Sequence, residues 1–181
     1  MILHLKSKIL TMHHEIDFFD ENDNQVYEVR SKAISIHDKT TIKNANGEEI
    51  ANIHRKVISI HDTYFVDMAD GTSFELRTEI LHLFKEIIDI EALGWTIHGN
   101  FLEHDYRIED ASGNLLASAH KKWMAVHEKY AIEIEDESKV DLIVAVYVVL
   151  EHIITMHEAE ATNAANHPGG APAGGSSTSS N

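Results

Sequence analysis

Residues 47–68, GEEIANIHRKVISIHDTYFVDM, decide the fold, because a second copy of this stretch follows 66 positions later. The second copy, residues 113–134, reads GNLLASAHKKWMAVHEKYAIEI and keeps a Gly, an Ala, two His, a Lys and a Tyr in place. Within the first copy, KVISIHD at 56–62 also matches KAISIHD at 32–38 in six of seven positions, at a spacing of 24. The repeating unit is therefore about two dozen residues long, and the body of the chain divides into two related halves.

Glycine-containing turns separate segments that alternate between polar and apolar residues. The dipeptides Asn46-Gly47, Asp70-Gly71 and Ser112-Gly113 are hairpin signals, because glycine supplies the positive φ that a tight turn needs. Between such turns, stretches such as VYEVR at 26–30 and ISI at 58–60 place aromatic or β-branched residues at every second position. A period of two predicts half-buried antiparallel strands, and many such strands protect their edges best by closing into a barrel.

Two further segments carry long apolar patterns. Residues 140–156, VDLIVAVYVVLEHIITM, contain nine consecutive apolar residues from Leu142 to Leu150, and the whole segment is too long for an ordinary strand. A helix that is apolar on all sides must be buried, and a membrane span needs about 20 apolar residues, so we predict a buried core helix and no transmembrane segment. Residues 78–90, TEILHLFKEIIDI, fit a helical stripe by local pattern, whereas the repeat favours strands there.

The amino-acid composition argues against one class of partner and excludes sites that need cysteine. The chain has 181 residues, no cysteine, and 30 acidic against 15 basic residues, which gives a net charge of -15. This charge argues against nucleic acid as a partner, because binding to a phosphate backbone needs clustered Lys and Arg. The absence of cysteine excludes disulfides and thiolate metal sites and fits a cytoplasmic protein, as does the lack of a signal-peptide pattern at the start.

The last stretch of the chain differs in composition from the rest. Residues 161–181 are rich in Gly, Ala and Ser and contain both prolines of the chain. Such a segment has too few apolar residues to bury, so it is expected to be disordered. We therefore predict one domain over residues 1–160 and a disordered tail over residues 161–181.

The repeat and the segment between its copies resemble a known family. Residues 92–110, ALGWTIHGNFLEHDYRIED, contain a Gly-Trp-x-x-x-Gly-Asn-Phe block followed by His104-Asp105-Tyr106. Together with the two long copies and the terminal apolar helix, this block resembles the bacterial YxjI proteins of the LURP-one-related family over most of residues 1–157. The resemblance implies a fold like the C-terminal domain of tubby proteins and of phospholipid scramblases, a barrel of about twelve strands closed around a central hydrophobic helix.

That fold would assign residues 140–156 to the core helix and residues 78–90 to strands, and we follow it. Its families share no established activity: tubby domains bind phosphoinositides, scramblases act at membranes, and plant relatives are linked to defence. No acidic loop with calcium-ligand spacing follows a helix here, so no residue role is carried over from the resemblance. We therefore expect a mainly β protein, a closed antiparallel barrel with two related halves around a C-terminal helix.

Basic triplets at matching places in the two halves are the main candidate binding residues. The triplets 54–56 and 120–122 coincide in the long repeat, and Lys32 coincides with Lys56 in the shorter one. Arg and Lys make charge-assisted contacts with phosphate, so the triplets are candidates for an anionic lipid head group or phosphate ligand. The alternative is that they are solvent-facing strand residues that protect sheet edges. The predicted anion-binding residues are Lys32, His54, Arg55, Lys56, His120, Lys121 and Lys122.

The histidines are weaker candidates. The chain has 14 of them, and His37, His61 and His127 share one position of the repeat, each followed by an acidic residue. Zinc needs three or four ligands that converge on one point, whereas copies in separate modules would be spread around the rim of a barrel. We therefore predict no metal site and no cofactor.

Two polar groups are candidates for acid–base chemistry. Residues 98–105 contain two histidines and two acidic residues without a candidate nucleophile, in a turn where polar residues are expected. Glu151 and His152 interrupt the apolar helix and could form a buried pair, but we favour the interpretation that the last helical turns emerge into solvent. We expect no catalytic residues.

The sequence thus favours a non-enzymatic binding or scaffold module for an anionic lipid or another small anionic ligand, located in the cytoplasm or peripheral at the membrane. Two alternatives stay open. One is a protein-interaction or structural module without a small ligand, which a broad exposed apolar patch would favour. The other is a metal-dependent enzyme that uses the histidines, which three converging ligands would favour.

Overall fold

The computed structural model of the chain describes residues 1–10, 13–32, 39–58, 61–79, 87–120 and 130–166. These residues form twelve strands, one long helix and two short 3₁₀ turns, Phe101–Glu103 and Glu137–Lys139. The strands are β1 (Ile2–Leu10), β2 (His13–Phe19), β3 (Gln25–Lys32), β4 (Lys39–Asn44), β5 (Glu49–Ile58), β6 (His61–Met68), β7 (Ser73–Glu79), β8 (Ile87–Ile90), β9 (Trp95–Asn100), β10 (Asp105–Asp110), β11 (Leu115–His120) and β12 (Tyr130–Ile134), and the helix is α1 (Val140–Asn166).

The twelve strands form one antiparallel sheet that is nearly closed into a barrel. The order around the sheet is β7-β6-β5-β4-β3-β2-β1-β12-β11-β10-β9-β8, so the first strand pairs with the last one. β7 and β8 lie beside each other at the seam, without a hydrogen-bonded ladder between their described residues. Helix α1 packs inside, within one continuous apolar core. The predicted fold, a mainly β barrel around a central C-terminal helix, is confirmed.

The sequence repeat corresponds to a repeated turn at one end of the barrel. Asp20, Asn44 and Asp110 each begin a turn, and each side chain accepts hydrogen bonds from the backbone N–H groups two and four residues later. These residues are 24 and 66 positions apart, which are the spacings of the repeat. The same spacings separate three β-bulges that precede the turns, at residues 18/19, 42/43 and 108/109. Each copy therefore consists of an equivalent turn followed by an equivalent hairpin.

The fourth residue of these turns has a left-handed backbone. Gly47 and Gly113 have φ of 78° and 79°, as their turn dipeptides predict. Asp23 fills the same place in the first turn with φ of 62°, although the sequence supplies no glycine there. Its carboxylate accepts a hydrogen bond from the Lys6 ammonium at 2.8 Å. The first turn therefore keeps the shape of the others with a residue that adopts this conformation less readily.

Alternation along the strands builds the core of the barrel. In β3, Tyr27 and Val29 are buried, whereas Glu28 and Arg30 lie on the outer face. Fully burying one large apolar side chain stabilises a protein by about 1.5–3 kcal/mol, so the inward rows of twelve strands supply a large driving force. Because the sheet curves around it, helix α1 receives apolar contacts from every direction.

Helix α1 runs through the barrel and continues beyond it. Residues 143–151 are all buried, which fits a helix enclosed by the sheet. The helix ends at Asn166, ten residues after the predicted end at Met156, because residues 157–166 are rich in the strong helix formers Ala and Glu. It crosses the predicted domain boundary at residue 160, and residues 167–181 of the predicted disordered tail lie outside the described part of the chain.

The ambiguous segment 78–90 is strand at both of its ends. β7 includes residues 78 and 79, and β8 covers residues 87–90, as the repeat and the family resemblance predict. Residues 80–86 lie outside the described residues. No helix in the described ranges is both long enough and apolar enough to cross a membrane.

Candidate functional site

The barrel has two different ends, and the candidate residues gather at one of them. The turn end contains the start of helix α1 and five short turns, at residues 20–24, 44–48, 69–72, 91–94 and 111–114. The exit end lies opposite, where helix α1 leaves the barrel and the 3₁₀ turn Phe101–Glu103 links β9 to β10. β3, β5 and β11 run towards the exit end, so the triplet 54–56 on β5 and His120 at the end of β11 lie near it.

A buried contact between a histidine and a glutamate joins helix α1 to the barrel wall near the exit end. His104 Nδ1 lies 2.8 Å from Glu151 Oε1, and the two side chains are only 5% and 7% exposed. The hydroxyl of Tyr147, one helical turn earlier, donates a hydrogen bond to the same carboxylate oxygen at 2.9 Å. The His104 ring stacks on Tyr130, with centroids 3.7 Å apart. Because a buried polar group is costly without partners, these contacts allow Glu151 to lie inside the barrel.

The residues between β9 and β10 explain how His104 reaches this place. The Asn100 side chain accepts a hydrogen bond from the Glu103 backbone N–H at 3.3 Å and caps the 3₁₀ turn. His104 follows with a left-handed φ of 53°, which reverses the chain and turns the imidazole inward. Gly99 has φ of 137°, and a Cβ there would overlap the carbonyl oxygen of Asp105. The glycine therefore lets β9 and β10 approach closely beside the turn.

Two buried tyrosines complete the surroundings of the carboxylate. Burial raises the pKa of Tyr147 well above 10.0, and negative charge on the neighbouring Tyr106 and Glu151 would raise it further. Burial also raises the pKa of Tyr106 well above 10.0, with Glu151 acting in the same direction. Both hydroxyls therefore stay protonated at neutral pH, and Tyr147 remains a hydrogen-bond donor to Glu151. We call Glu151, His104, Tyr106, Tyr130 and Tyr147 the Glu151 cluster.

The position of Glu151 corrects one sequence prediction. The last helical turns are predicted to emerge into solvent at Glu151 and His152, but Glu151 is buried and helix α1 stays enclosed through Ile154. The partner of Glu151 is His104 on the β9–β10 turn, and the ring of His152 instead packs edge-on against Tyr64 at 5.5 Å. The prediction is wrong because the barrel is deeper than the apolar run of the helix, so the wall supplies a partner for the first polar residue after that run.

The polar group at residues 98–105 is divided by the structure. His104 is buried in the turn, whereas Glu103 and Asp105 are exposed on either side of it. His98 lies within β9 and not in a turn, with its Nε2 3.7 Å from Glu109 on β10. Only one of the four side chains therefore belongs to the Glu151 cluster.

Three basic side chains form an exposed patch on the outer face near the exit end. His54 and Lys56 are exposed on β5, and Lys39 lies directly opposite His54 on β4. The His54 ring stacks on Phe65 of β6, with centroids 5.1 Å apart and planes 14° apart. Directly opposed residues of antiparallel strands have Cβ atoms about 5 Å apart, and next-but-one residues of a strand lie about 7 Å apart. We call Lys39, His54 and Lys56 the β4–β5 patch.

Within the described ranges, no carboxylate neutralises the positive charge of this patch. Among the described side chains, neither Lys39 nor Lys56 has a carboxylate within ion-pair distance. Lys43, which is exposed but lies outside the patch, also forms no described ion pair, yet Glu28 and Glu49 lie opposite it on the two neighbouring strands. Five other cationic side chains each lie 2.6–3.0 Å from a carboxylate, and these are Lys6, Arg30, Arg77, Arg107 and Lys139. Among the described side chains, the β4–β5 patch is therefore a place where positive charge without a carboxylate partner is concentrated.

Arg55 separates from the other two residues of its predicted triplet. Strand alternation turns it towards the inner face, opposite Tyr64 of β6, where it is half-buried and its Nε atom is fully buried. The outer patch thus contains two residues of the triplet and gains Lys39. Sequence reasoning missed Lys39, because its approach to His54 depends on the register of the β4–β5 hairpin.

The structure does not bring the two predicted triplets together. β5 and β11 are six strands apart in a sheet of twelve, so His54 and His120 lie on opposite sides of the barrel, on the order of 20 Å apart. His120 is half-exposed at the end of β11, and its Nε2 lies 3.5 Å from Glu133. The side chains of Lys32, Lys121 and Lys122 lie outside the described part of the structure, and their roles stay predictions.

Two observations on the described residues concern the alternatives left open by the sequence. Within the described ranges, no three histidine or acidic side chains converge as metal ligands, and the shared-position side chains of His37, His61 and His127 lie outside these ranges. The exposed large apolar residues of the described chain lie beside the starts of three different strands, and they are Met1, Ile87 and Leu115.

Comparisons with known proteins agree with this architecture. An X-ray structure of a protein from Arabidopsis thaliana is similar, with a TM-score of 0.58 and 12% sequence identity over 84% of this chain and 91% of that chain. At this identity the similarity shows the fold alone. No curated protein matches the chain. The narrower resemblance to YxjI, tubby and scramblase proteins stays a prediction. A family model described as LURP-one-related matches residues 1–151, and the chain therefore belongs to the LURP-one-related family.

Proposed function

We propose that the chain is a non-catalytic binding module that takes an anionic, phosphate-like group at the β4–β5 patch. The observation that carries the proposal is the exposed charge of Lys39 and Lys56, which no described carboxylate neutralises, in a chain with a net charge of -15. On such an acidic protein, uncompensated lysines next to each other favour an anionic partner at that place.

The spacing of the patch suits one group with several oxygens. Lys39 and His54 are directly opposite, and Lys56 follows His54 on the same face, so the Cβ atoms of the three basic residues lie within about 5–8 Å of one another. Charge-assisted hydrogen bonds to phosphate are short and stronger than neutral ones. The stack on Phe65 restrains the His54 ring, which reduces the conformational entropy lost on binding.

The absence of catalysis is part of the proposal, and the Glu151 cluster supports it. Its carboxylate is occupied by His104 and Tyr147, and burial keeps the tyrosine hydroxyls protonated. A general acid or base must reach the proton of a substrate, whereas these groups contact one another inside the barrel. We therefore assign the Glu151 cluster a structural role.

The anionic group can come from a lipid head group or from a free phosphate compound, and the β4–β5 patch would recognise the chemistry that both share. In the first case the protein acts at a membrane surface, and in the second it acts free in the cytoplasm. The lack of cysteine fits a reducing compartment in either case.

Inorganic pyrophosphate is a suitable probe, because it carries phosphate oxygens without a lipid tail. The full-length chain is titrated with pyrophosphate while backbone amide resonances are followed by NMR. We expect concentration-dependent shifts centred on Lys39, His54 and Lys56, and we expect a Lys39→Ala/Lys56→Ala double variant to lose them. A parallel arm measures co-flotation with phosphatidylcholine vesicles that contain or lack a phosphoinositide, which separates a lipid source from a free one.

The matched control is Lys43→Ala, which removes one exposed lysine from the same strand at the turn end. This variant should keep the pyrophosphate shifts, because Lys43 lies between two acidic residues and outside the patch. Absence of shifts in the unmodified chain, or an equal loss in the control and the double variant, would overturn the proposal.

A further inference from the structure

We propose that Lys39 determines which of the repeated hairpins binds an anion, and that it does so at a cost in stability. The repeated hairpins flank the three equivalent turns, and they are β2–β3, β4–β5 and β10–β11. The cost in stability is independent of the proposed function, whereas the role of Lys39 in binding rests on that function.

The β2–β3 hairpin pairs an acid with a base at the place where the β4–β5 hairpin has two basic residues. Lys39 lies directly opposite His54, and the residues 24 positions earlier, Glu15 and Arg30, also lie directly opposite each other. The Arg30 guanidinium is 3.9 Å from the Glu15 carboxylate, and it contacts two further carboxylates at 2.8 Å. In the β2–β3 hairpin, the positive charge at this position therefore has carboxylate partners.

The β10–β11 hairpin keeps the same combination of an acid and a base. The residues 66 positions after the pair on β4 and β5 are Asp105 and His120. The opposed residues Tyr106 and Ala119, one position away, set these two opposite each other in the antiparallel register. Glu133 of β12 adds a second carboxylate, 3.5 Å from the imidazole of His120. Of the three equivalent hairpins, only β4–β5 has a lysine where the others have an acidic residue.

The substitution of a lysine for an acid turns an attraction into a repulsion. Directly opposed residues of opposite charge stabilise a strand pair, and residues of like charge destabilise it. A histidine side chain is largely protonated below about pH 6, so Lys39 and His54 are then both positive, with Lys56 next along the same face. In the other direction, the next outward residues of β4 and β5 are Thr41 and Asn52, which carry no charge.

The described acidic residues on the outer face of β6 and β7 have other partners. The carboxylate of Glu75 lies beyond Phe65 as seen from β5, and it contacts Arg77 at 2.6 Å. Asp67, nearer the turn end, accepts a hydrogen bond from the Ser73 hydroxyl at 2.9 Å. These carboxylates therefore do not take the place of the missing acid at position 39.

An anionic ligand would supply the negative charge that a carboxylate side chain supplies in the other two hairpins. Residues that serve binding commonly reduce the stability of the free protein, because they are placed for the ligand and not for their neighbours. Lys39 fits this description, since the equivalent hairpins show which type of residue stabilises the position. The same residue thus makes β4–β5 the hairpin that accepts an anion.

The variant Lys39→Glu gives the β4–β5 hairpin the acid and base of its two counterparts. In urea unfolding at pH 5.5 without ligand, we expect its midpoint to rise by roughly 0.1–0.5 M. The matched control Lys43→Glu makes the same change of charge on the same face of β4, but Glu28 and Glu49 lie opposite position 43, so its midpoint should fall. A midpoint that is unchanged or lower in Lys39→Glu would overturn the cost in stability.

The pyrophosphate titration tests the role in binding. Lys39→Glu should weaken binding at least about tenfold, because a charge-assisted contact is replaced by a repulsion, whereas Lys43→Glu should keep the affinity within about threefold. If the unmodified chain and Lys39→Glu bind equally well, the role of Lys39 in binding is wrong while the proposed function stands. If the unmodified chain does not bind pyrophosphate, the proposed function fails and the role of Lys39 in binding fails with it, but the comparison of stabilities is unaffected.

Discussion

The contact between His104 and Glu151 supports a quantitative prediction about stability. His104→Asn places a residue that tolerates left-handed φ at this position, but it leaves the buried carboxylate without its imidazole partner. Leaving a buried hydrogen-bonding group without its partner costs about 1–3 kcal/mol, and more if the group is charged, while folded domains have free energies of unfolding of roughly 5–15 kcal/mol. We therefore expect His104→Asn to remove a large fraction of the free energy of unfolding.

Glu151→Gln should cost less, because it removes the charge and keeps an oxygen that accepts from Tyr147. We expect a loss of about 1–2 kcal/mol, the usual net worth of a hydrogen bond to a charged group. The double variant should lose less than the sum of the two single losses, because both residues belong to the same buried contact. The coupling energy should be about 1.5–3 kcal/mol.

Urea unfolding followed by circular dichroism gives the free energy of each variant, provided that the slope against urea stays constant. The control is His98→Asn, because His98 faces Glu109 on the outer wall, partly exposed, and a surface pair contributes about 0–1 kcal/mol. A loss below about 1 kcal/mol in His104→Asn, or single losses that simply add, would refute the idea that the buried pair acts as a unit.

Three further outcomes concern the turns and the start of the helix. Gly99→Ala should destabilise the fold by about 3 kcal/mol or more, because the added Cβ would overlap a neighbouring carbonyl oxygen. Gly113→Ala has open space around the added Cβ, so it should cost about 1 kcal/mol for its positive φ alone. Equal losses of the two variants in thermal unfolding would contradict this difference. Hydrogen bonds from Asn114 hold the pKa of Asp110 below 3.8, so the stability they provide is complete above that value and is lost as pH falls through the folded pKa. Asp110→Asn should therefore flatten the decline of unfolding free energy below pH 3.8, and an unchanged slope would count against the turn geometry. Tyr27→Phe removes a hydrogen bond of 2.7 Å to the carboxylate of Asp141 in the first turn of α1, and it should lower the free energy of unfolding in urea by about 1–2 kcal/mol. No measurable loss would show that this hydrogen bond does not stabilise the start of the helix.

Local chemistry explains why so much of the fold could be predicted. Each repeated module contains the residue that forms its turn, as at Asn44 and Asp110, and the alternation of apolar and polar residues that forms its strands. Modules with matching sequences therefore fold into equivalent hairpins. The same logic resolved the ends of residues 78–90 as strands against their local helical pattern. In such a repeat, the neighbours that each strand needs are supplied by equivalent copies.

The candidate sites depend on long-range geometry, which the sequence states only indirectly. The contact between Glu151 and His104 depends on the depth of helix α1 inside the barrel and on its rotation about its own axis. The apolar pattern of the helix alone predicts neither the depth nor the rotation. The approach of Lys39 to His54 depends on register, and a bulge at 42/43 shifts that register within the same hairpin. The acidic or polar residue that begins each turn was visible in the sequence, but its repeated hydrogen bonding was recognised only in the structure.

The pairing of β1 with β12 and the place of α1 after β12 also govern how the protein is made on the ribosome. Synthesis proceeds from β1 onward, so β1 can pair at once with β2, but eleven strands emerge before its second partner, β12, and all twelve emerge before the helix that fills their interior. A growing chain of this topology carries inward-facing apolar rows with nothing to cover them, the condition in which nascent proteins aggregate or bind chaperones. Its closing contacts are the most distant ones in the sequence, which makes folding slow. Productive folding of this barrel therefore has to be largely post-translational.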